Sequence, residues 1–214
     1  MQPRIPTHTQ SLPSRTYLFA PIHALLVRFA PTNDRRVFEI GCGNGAMAFE
    51  LSKKGFSVTG VDPSTASIAL ANKESPQISL HLGSAYDELA SIYGRFPIVL
   101  SLEVMEHLYD PRAFARSAFD LLLPGGKSIL STPYHGYWKN LAIALFHRFD
   151  RHDGPLWDHG HIKFWSERTL TSLLVEAGFA PPTFLHVGRA IPAFAKSMIA
   201  VARKPASLCG KEDP

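Results

Sequence analysis

The chain has 214 residues, a net charge of +4, and a composition that is 45% hydrophobic and 19% charged. These totals predict one globular domain with a sizeable core, and the lack of a dense lysine or arginine run argues against a nucleic-acid partner. No apolar run approaches the roughly 18 residues that span a bilayer, and the polar N-terminus contains no secretory signal segment, so we expect a cytoplasmic protein.

Helical and strand patterns alternate along most of the chain after residues 1–14, which are rich in Pro, Thr and Ser and which we expect to be flexible. The predicted elements are, in chain order, a helix that starts at Pro21, a strand in RRVFEI, a helix over 46–54, strands and helices in FSVTGVD, STASIALANKE and ISLHLGS, a short helix over 86–93, a strand in FPIVLSLEVMEH, a helix that starts at Asp110, a strand in KSILST, a helix capped by Ser166, and closing strands in TFLHVGR and KSMIAVARK.

Strands that alternate with helices predict an α/β fold in which helices cover both faces of a mostly parallel sheet. Two consecutive strands end the chain and break the alternation, so part of one edge must be antiparallel. Ligands of such sheets bind beyond the carboxyl ends of the strands. The turns after the first four strands should therefore line one crevice.

A glycine-rich turn follows the first strand. Gly41, Gly43 and Gly45 permit positive φ and close approach of the backbone to a ligand, and the helix near Ala46 turns its free N–H groups toward that ligand. Asp62 ends the second strand, where its carboxylate can accept both hydroxyls of a ribose. These features suit both a dinucleotide and S-adenosylmethionine (SAM), whereas a P-loop is excluded because no Gly-Lys-Ser/Thr follows the turn.

Glu39 precedes the glycines by two residues and favours SAM. A carboxylate at this point would repel a pyrophosphate, whereas it suits a cofactor that carries an amino group and a cationic sulfur. The alternative is that Glu39 accepts backbone N–H groups and orders the turn.

The ordered motifs resemble a class I SAM-dependent methyltransferase from about Arg35 to Arg203. They are VFEIGCGNG at the first turn, Asp62, EVMEH after the fourth strand, and LLLPGG. Within the superfamily, LEVMEHLYDP, STPYHGYWKNL and GHIKFWS are most similar to the 3-demethylubiquinone and polyprenyl-dihydroxybenzoate O-methyltransferases. The resemblance implies a Rossmann-like, seven-stranded, three-layer α/β/α domain over 15–205 with an antiparallel C-terminal strand, followed by a loose tail over 206–214.

The resemblance also implies a set of cofactor-binding residues along the crevice. They are Glu39, Gly41, Gly43, Gly45, Asp62, Ser84, Ala85, Leu102 and Val104. Ser84 stands where many members of the family carry an acid for the adenine.

Candidate chemistry follows the fourth strand. If the chain turns helical there, Glu103, Glu106 and His107 share a face and can hold a divalent ion, and the resemblance associates these positions with Mg²⁺. Two alternatives stay open: His107 acts as a metal-free general base, or Glu106 and His107 face solvent.

Residues 134–165 form a lid-like insert rich in aromatic residues and histidines. Tyr134 and His135 either contact the acceptor or hinge the lid. The apolar stripe of the segment 137–149 has three alternatives: packing on the core, forming an apolar acceptor pocket, or a weak peripheral membrane contact. A zinc site from Asp158, His159 and His161 lacks a paired cysteine and the usual spacing.

The sequence thus predicts a methyltransferase that transfers a methyl group from SAM to a small-molecule acceptor at an oxygen of a phenol- or quinol-like compound. The alternatives are a SAM-binding partner or scaffold subunit without catalysis, and a nicotinamide dehydrogenase, for which no Tyr-x-x-x-Lys pair is recognisable.

Overall fold

The computed structural model describes residues 16–148 and 160–206. Seven strands make one sheet: β1 (Arg36–Ile40), β2 (Ser57–Asp62), β3 (Ser79–Leu82), β4 (Phe96–Leu102), β5 (Leu122–Pro133), β6 (Thr183–Val187) and β7 (Ser197–Arg203). The α-helices of these residues are α1 (Thr16–Phe29), α2 (Ala46–Ser52), α3 (Thr65–Glu74), α4 (Leu89–Tyr93), α5 (Pro111–Asp120), α6 (Tyr137–Leu145) and α7 (Glu167–Glu176). Short 3₁₀ turns cover Met105–His107 and Pro192–Phe194.

The strand order is β3-β2-β1-β4-β5-β7-β6. Strands β1 to β5 are parallel, whereas β7 runs antiparallel to both β5 and β6. This topology confirms the predicted Rossmann-like sheet with its antiparallel C-terminal strand. The order reverses between β1 and β4, so the turns after these two strands diverge and open a crevice at the carboxyl edge.

Two apolar clusters, one on each face of the sheet, make three layers. Val37 belongs to the cluster that holds the buried side chains of α1, α2 and α3, and its neighbour Phe38 belongs to the cluster of α4, α5 and α7. Successive side chains of a strand point to opposite faces, so β1 links the two clusters. Strand β4 is buried along its whole length, as expected for a central parallel strand.

The prediction for the first helix is wrong at its start. Helix α1 begins at Thr16, and Pro21 lies inside it. Proline removes one helical hydrogen bond at this point. Leu18 lies one turn before Ile22 and extends the buried stripe, which offsets that loss.

Two other helices begin at the caps that the sequence predicted. Asp110 accepts a hydrogen bond from the Ala113 N–H at 2.9 Å, with Pro111 in the first turn. Ser166 and Thr169 form a reciprocal capping box at α7. Among the described residues, no helix combines the length and apolar character that a bilayer span requires.

Candidate cofactor and acceptor site

The glycine turn is fastened to the end of β2. The N–H groups of Gly41 and Cys42 both donate to the Val61 carbonyl, at 2.8 and 3.0 Å. A Cβ on Gly41 would overlap the Val104 side chain, whereas a Cβ on Gly43 would meet no atom within 4 Å. Gly41 therefore lies against the chain that follows β4, and Gly43 faces open space in which a ligand can lie.

Asp62 joins this turn to the start of α3. Its Oδ2 accepts the Gly43 N–H at 2.9 Å, and its Oδ1 accepts the Ser64 N–H at 2.9 Å. A carboxylate oxygen has more than one acceptor site, so both oxygens can also accept a ligand hydroxyl. Asp62 thus shapes the turn, and it can hold the ribose that the sequence assigned to it.

The turn lies in a negatively charged environment. Glu39 is buried, with 2% of its surface exposed, in the β1 position that pairs with Gly60 of β2. Burial raises the pKa of the Cys42 thiol well above its usual range, and the charges of Glu39 and Asp62 raise it further. Two carboxylates that both raise the pKa of this thiol favour the binding of a cationic ligand and disfavour the binding of a pyrophosphate.

The loop after β3 contains an acid that sequence reasoning missed. Ser84 donates its N–H to Asp87 Oδ2 at 2.7 Å, and the Ser84 Oγ accepts the Tyr86 N–H at 3.2 Å. Ala85 between them is buried. Asp87 therefore supplies a carboxylate three residues after the position where the family carries one. The Ser-x-x-Asp spacing was the signal for this turn.

Glu103 does not join the other candidate metal ligands. Its φ is 55°, and its N–H donates to the Ser131 carbonyl at 3.0 Å. The Ser131 hydroxyl donates to Glu103 Oε1 at 2.7 Å. The Glu103 carboxylate is thereby directed to β5. Leu102 on one side of it is buried, and Val104 on the other covers Gly41.

Three other residues, Glu106, His107 and His161, come together after β4. Glu106 is 1% exposed, and its Oε1 lies 3.9 Å from both His107 Nε2 and His161 Nε2. One ligand atom from each residue lies within 4.8 Å of the other two. Thr132 donates its hydroxyl to Glu106 Oε2 at 3.2 Å. The buried carboxylate therefore faces two imidazoles, one of them from the insert.

The segment 160–165, here called the strap, holds His161 in place. The N–H groups of Ile162 and Lys163 donate to the Glu106 carbonyl at 2.8 and 3.0 Å, and Trp165 Nε1 donates to the Met105 carbonyl at 3.3 Å. Sequence reasoning placed His161 only with Asp158 and His159, which lie outside the described residues. No local pattern signals a contact across more than 50 residues.

Tyr134 and His135 follow β5 at the same edge. The Tyr134 ring packs against His186 with centroids 4.4 Å apart, and His135 contacts Phe164 of the strap edge-on, with centroids 5.0 Å apart. Tyr134 accepts a hydrogen bond from Lys139 Nζ through its carbonyl at 2.7 Å. These contacts join the first part of the insert to the strap and leave the predicted acceptor role untested.

Helix α6 buries none of its side chains. Trp138 is 60% exposed and Phe146 is 71% exposed. The alternative in which this stripe packs on the core is therefore wrong. Its residue Phe149 lies outside the described part of the chain.

The fold and the site define a methyltransferase. Residues 14–181 match the family described as "Methyltransferase domain", and the chain belongs to that family. The chain is similar to two proteins named "Ubiquinone biosynthesis O-methyltransferase". The protein of a Caulobacter species is 34% identical in an alignment that covers 59% of each chain. The protein of Aromatoleum aromaticum is 28% identical over 171 residues, which cover 75% of this chain and 73% of that relative.

A solved structure shares the fold. The magnesium protoporphyrin IX methyltransferase of Synechocystis PCC 6803 with bound SAH superposes with a TM-score of 0.68 at 18% identity, and covers 87% of this chain and 82% of that chain. The family match and the two relatives confirm the resemblance to class I SAM methyltransferases, and this structure shows that the fold is shared. The chain spans about 59% of the length of the Caulobacter relative.

Proposed function

We propose that the protein transfers the methyl group of SAM to an oxygen of a small phenol- or quinol-like acceptor. The observation that carries this proposal is the contact of Glu106 with His107 and His161. Glu106 lies near the glycine turn, because Val104, two residues earlier, packs against Gly41. An oxygen acceptor must lose a proton during methylation, and a carboxylate–imidazole pair can take it.

The donor side fits SAM by its charge and its open space. SAM, when bound, supplies an electrophilic methyl group on a cationic sulfur. Glu39 and Asp62 provide the negative charge, and Asp62 offers acceptor sites for the ribose hydroxyls. Leu102 and Val104 border the turn with apolar surface, which excludes water from the reacting atoms.

We assign to His107 the removal of the hydroxyl proton of the acceptor. Its Nδ1 lies 3.2 Å from the Gly160 carbonyl, which can only accept, so Nδ1 carries the hydrogen and the neutral ring has its lone pair on Nε2. Nε2 can then take the hydroxyl proton of the acceptor. The resulting imidazolium lies 3.9 Å from the Glu106 carboxylate, which stabilises it. General-base catalysis of this kind contributes about 10²–10⁴-fold in rate.

The donor atoms of this trio do not fit Mg²⁺. Two imidazole nitrogens and one carboxylate replace the oxygen-rich octahedron that Mg²⁺ requires, and Glu103 is directed to Ser131 instead. We therefore assign the proton transfer to the side chains and derive no step from a metal.

Calorimetry and turnover test the proposal together. We expect SAM and S-adenosylhomocysteine to bind, and methyl-labelled SAM to be consumed with at least one member of a phenol and quinol panel. Activity should be unchanged in the presence of a chelator. Binding of SAM without turnover on the panel or on a metabolite extract would contradict catalysis and favour the scaffold alternative. Loss of activity with the chelator would contradict the metal-free assignment.

A further inference from the structure

A cavity of about 390 Å³ lies between α6 and the loop that follows β6. Three cationic side chains line it, Lys139, Arg148 and Arg189, and they share its wall with apolar side chains, among them Ile143, Phe146 and Phe194. The volume falls within the range of small-molecule sites. Strand β6 is parallel to β5, so both walls rise from the carboxyl edge of the sheet, where the glycine turn also lies.

The end of α6 directs Arg148 to this cavity. His147 has a φ of 51°, and its N–H donates to the Ala144 carbonyl at 3.2 Å, while the Arg148 N–H donates to the Ile143 carbonyl at 2.9 Å. This pair of bonds is a Schellman motif, in which the chain reverses over the last helical turn. Arg148 and Ile143 are thereby brought to the same wall.

Among the described residues, those that line the cavity carry an excess of positive charge. No acidic side chain of the described residues lines it, and no carboxylate in that part of the chain forms an ion pair with Arg148 or Arg189. Lys139 donates a hydrogen bond from its Nζ to the Tyr134 carbonyl at 2.7 Å. Guanidinium groups that share a cavity repel one another, and a carboxylate or phosphate relieves this repulsion through paired hydrogen bonds.

The apolar side chains of the cavity favour a ligand that carries an apolar group as well as an anionic one. Phe146 is 71% exposed and Phe194 is 38% exposed, so both rings retain surface that a ligand can cover. Each methylene that leaves water for such a wall contributes about 0.8 kcal/mol. An inorganic anion alone would satisfy the arginines and leave this surface in water.

We infer that this cavity binds a monomeric anionic amphiphile, with its carboxylate or phosphate held by Arg148 and Arg189 and its apolar body against Phe146 and Phe194. The inference goes beyond the proposed methyl transfer, because it depends only on the charges and surfaces of the cavity. It does not require the bound molecule to be the methyl acceptor.

Calorimetry on the full chain tests it with decyl phosphate and decanoate, both below their micellar concentrations, and with decanol and inorganic phosphate. Both anionic amphiphiles should bind, and the neutral alcohol and the inorganic anion should bind at least tenfold more weakly. Butyl phosphate should lose about fourfold in affinity for each methylene that no longer covers the wall.

Three arginine variants provide the matched comparison. Arg148→Gln and Arg189→Gln should each weaken decyl phosphate binding by about tenfold, since a charge-assisted pair is lost. Arg168→Gln removes the same charge from the exposed face of α7 and should change nothing. SAM titrated into the same samples should bind all variants equally, so a failure of this inference differs from a failure of the proposed function.

Two results would overturn the inference. Equal affinity for decanol and decyl phosphate would show that the arginines do not recognise the negative charge of the ligand. Binding of the protein to vesicles of anionic phospholipid, without binding of monomeric decyl phosphate, would assign this face to a membrane surface instead.

Discussion

The carboxylate of Asp62 accepts the N–H of Gly43 at 2.9 Å, so a residue at the end of β2 fixes the turn that follows β1. Its second oxygen accepts the Ser64 N–H at the start of α3. One side chain therefore sets the relative position of two loops of the crevice. Any change of Asp62 must therefore alter the shape of the site.

We expect Asp62→Asn to lower both the stability of the protein and its affinity for SAM. The amide can accept only through one atom, so one of the two N–H groups loses its partner, which costs about 1–3 kcal/mol in unfolding free energy. SAM binding should weaken by a further 1–3 kcal/mol, or about fivefold to 150-fold. Urea unfolding and calorimetry measure the two effects. Asp34→Asn, which breaks the surface pair with Arg36, should change stability by less than about 1 kcal/mol and leave SAM binding intact.

The glycine turn offers two alanine variants that should behave differently. Gly43→Ala places a methyl group in open space, so we expect a stability loss of about 1 kcal/mol from the left-handed backbone and a tenfold or larger loss of SAM affinity. Gly41→Ala drives a methyl group into Val104 and should cost about 2–5 kcal/mol in unfolding free energy. Equal SAM affinity in Gly43→Ala and the wild type would place the cofactor elsewhere.

The proposed base can be separated from the predicted metal ligand. We expect His107→Gln to lower kcat by about 10²–10⁴-fold with little change in the Kd for SAM. Glu103→Gln should retain activity, because its amide oxygen can still accept the Ser131 hydroxyl. His81→Gln, on the exposed edge strand β3, is the matched control. A strong loss in Glu103→Gln and little loss in His107→Gln would reverse the assignment.

Cys42 predicts a loss of stability in alkaline solution. Burial holds the thiol pKa above its unfolded value, so the native state keeps the proton while the unfolded state loses it. The contribution of the thiol is fully present below about pH 8.5 and then decreases by about 1.4 kcal/mol for each pH unit. The stability difference between the wild type and Cys42→Ala should therefore fall by about 2 kcal/mol between pH 8.5 and pH 10, as measured by urea unfolding. A difference that is constant with pH would contradict the raised pKa.

The end of α6 provides a backbone test. We expect His147→Gly to stabilise this helix by about 0.5–1 kcal/mol, because glycine adopts the left-handed conformation without strain. Ala144→Gly, three residues earlier inside the helix, should destabilise it by about 1 kcal/mol. Amide hydrogen exchange of residues 137–146 reports the local effect. The two glycines should shift protection in opposite directions.

The geometry of the glycine turn could be predicted from the sequence because its signals are local. Gly41, Gly43 and Gly45 all have positive φ, as their spacing indicated, and Asp62 ends β2 beside them. Glycine spacing, strand periodicity and the parallel topology together fix which turns meet at the carboxyl edge. The wrong start of α1 came from a preference for proline in the first turn, which the packing of Leu18 overrides.

The surroundings of Glu106 were harder to predict because their geometry depends on distant residues. Helical spacing after β4 grouped Glu103 with Glu106 and His107, but the positive φ of Glu103 and the hydroxyl of Ser131, 28 residues later, direct that carboxylate away. His161 joins Glu106 across the insert through backbone bonds of the strap. Neither of these two contacts produces a periodic pattern in the sequence.

The strap is held mainly through main-chain atoms: the carbonyls of Met105 and Glu106 receive its hydrogen bonds, and the Gly160 carbonyl accepts from His107. Ile162 and Lys163 bind through their N–H groups, so their side chains are not needed for docking. Substitution of the exposed Ile162 should therefore leave the backbone of the strap, and with it the position of His161, unchanged. We therefore expect the strap to tolerate changes of side chain that the glycine turn does not, because at Gly41 even one added carbon atom meets Val104.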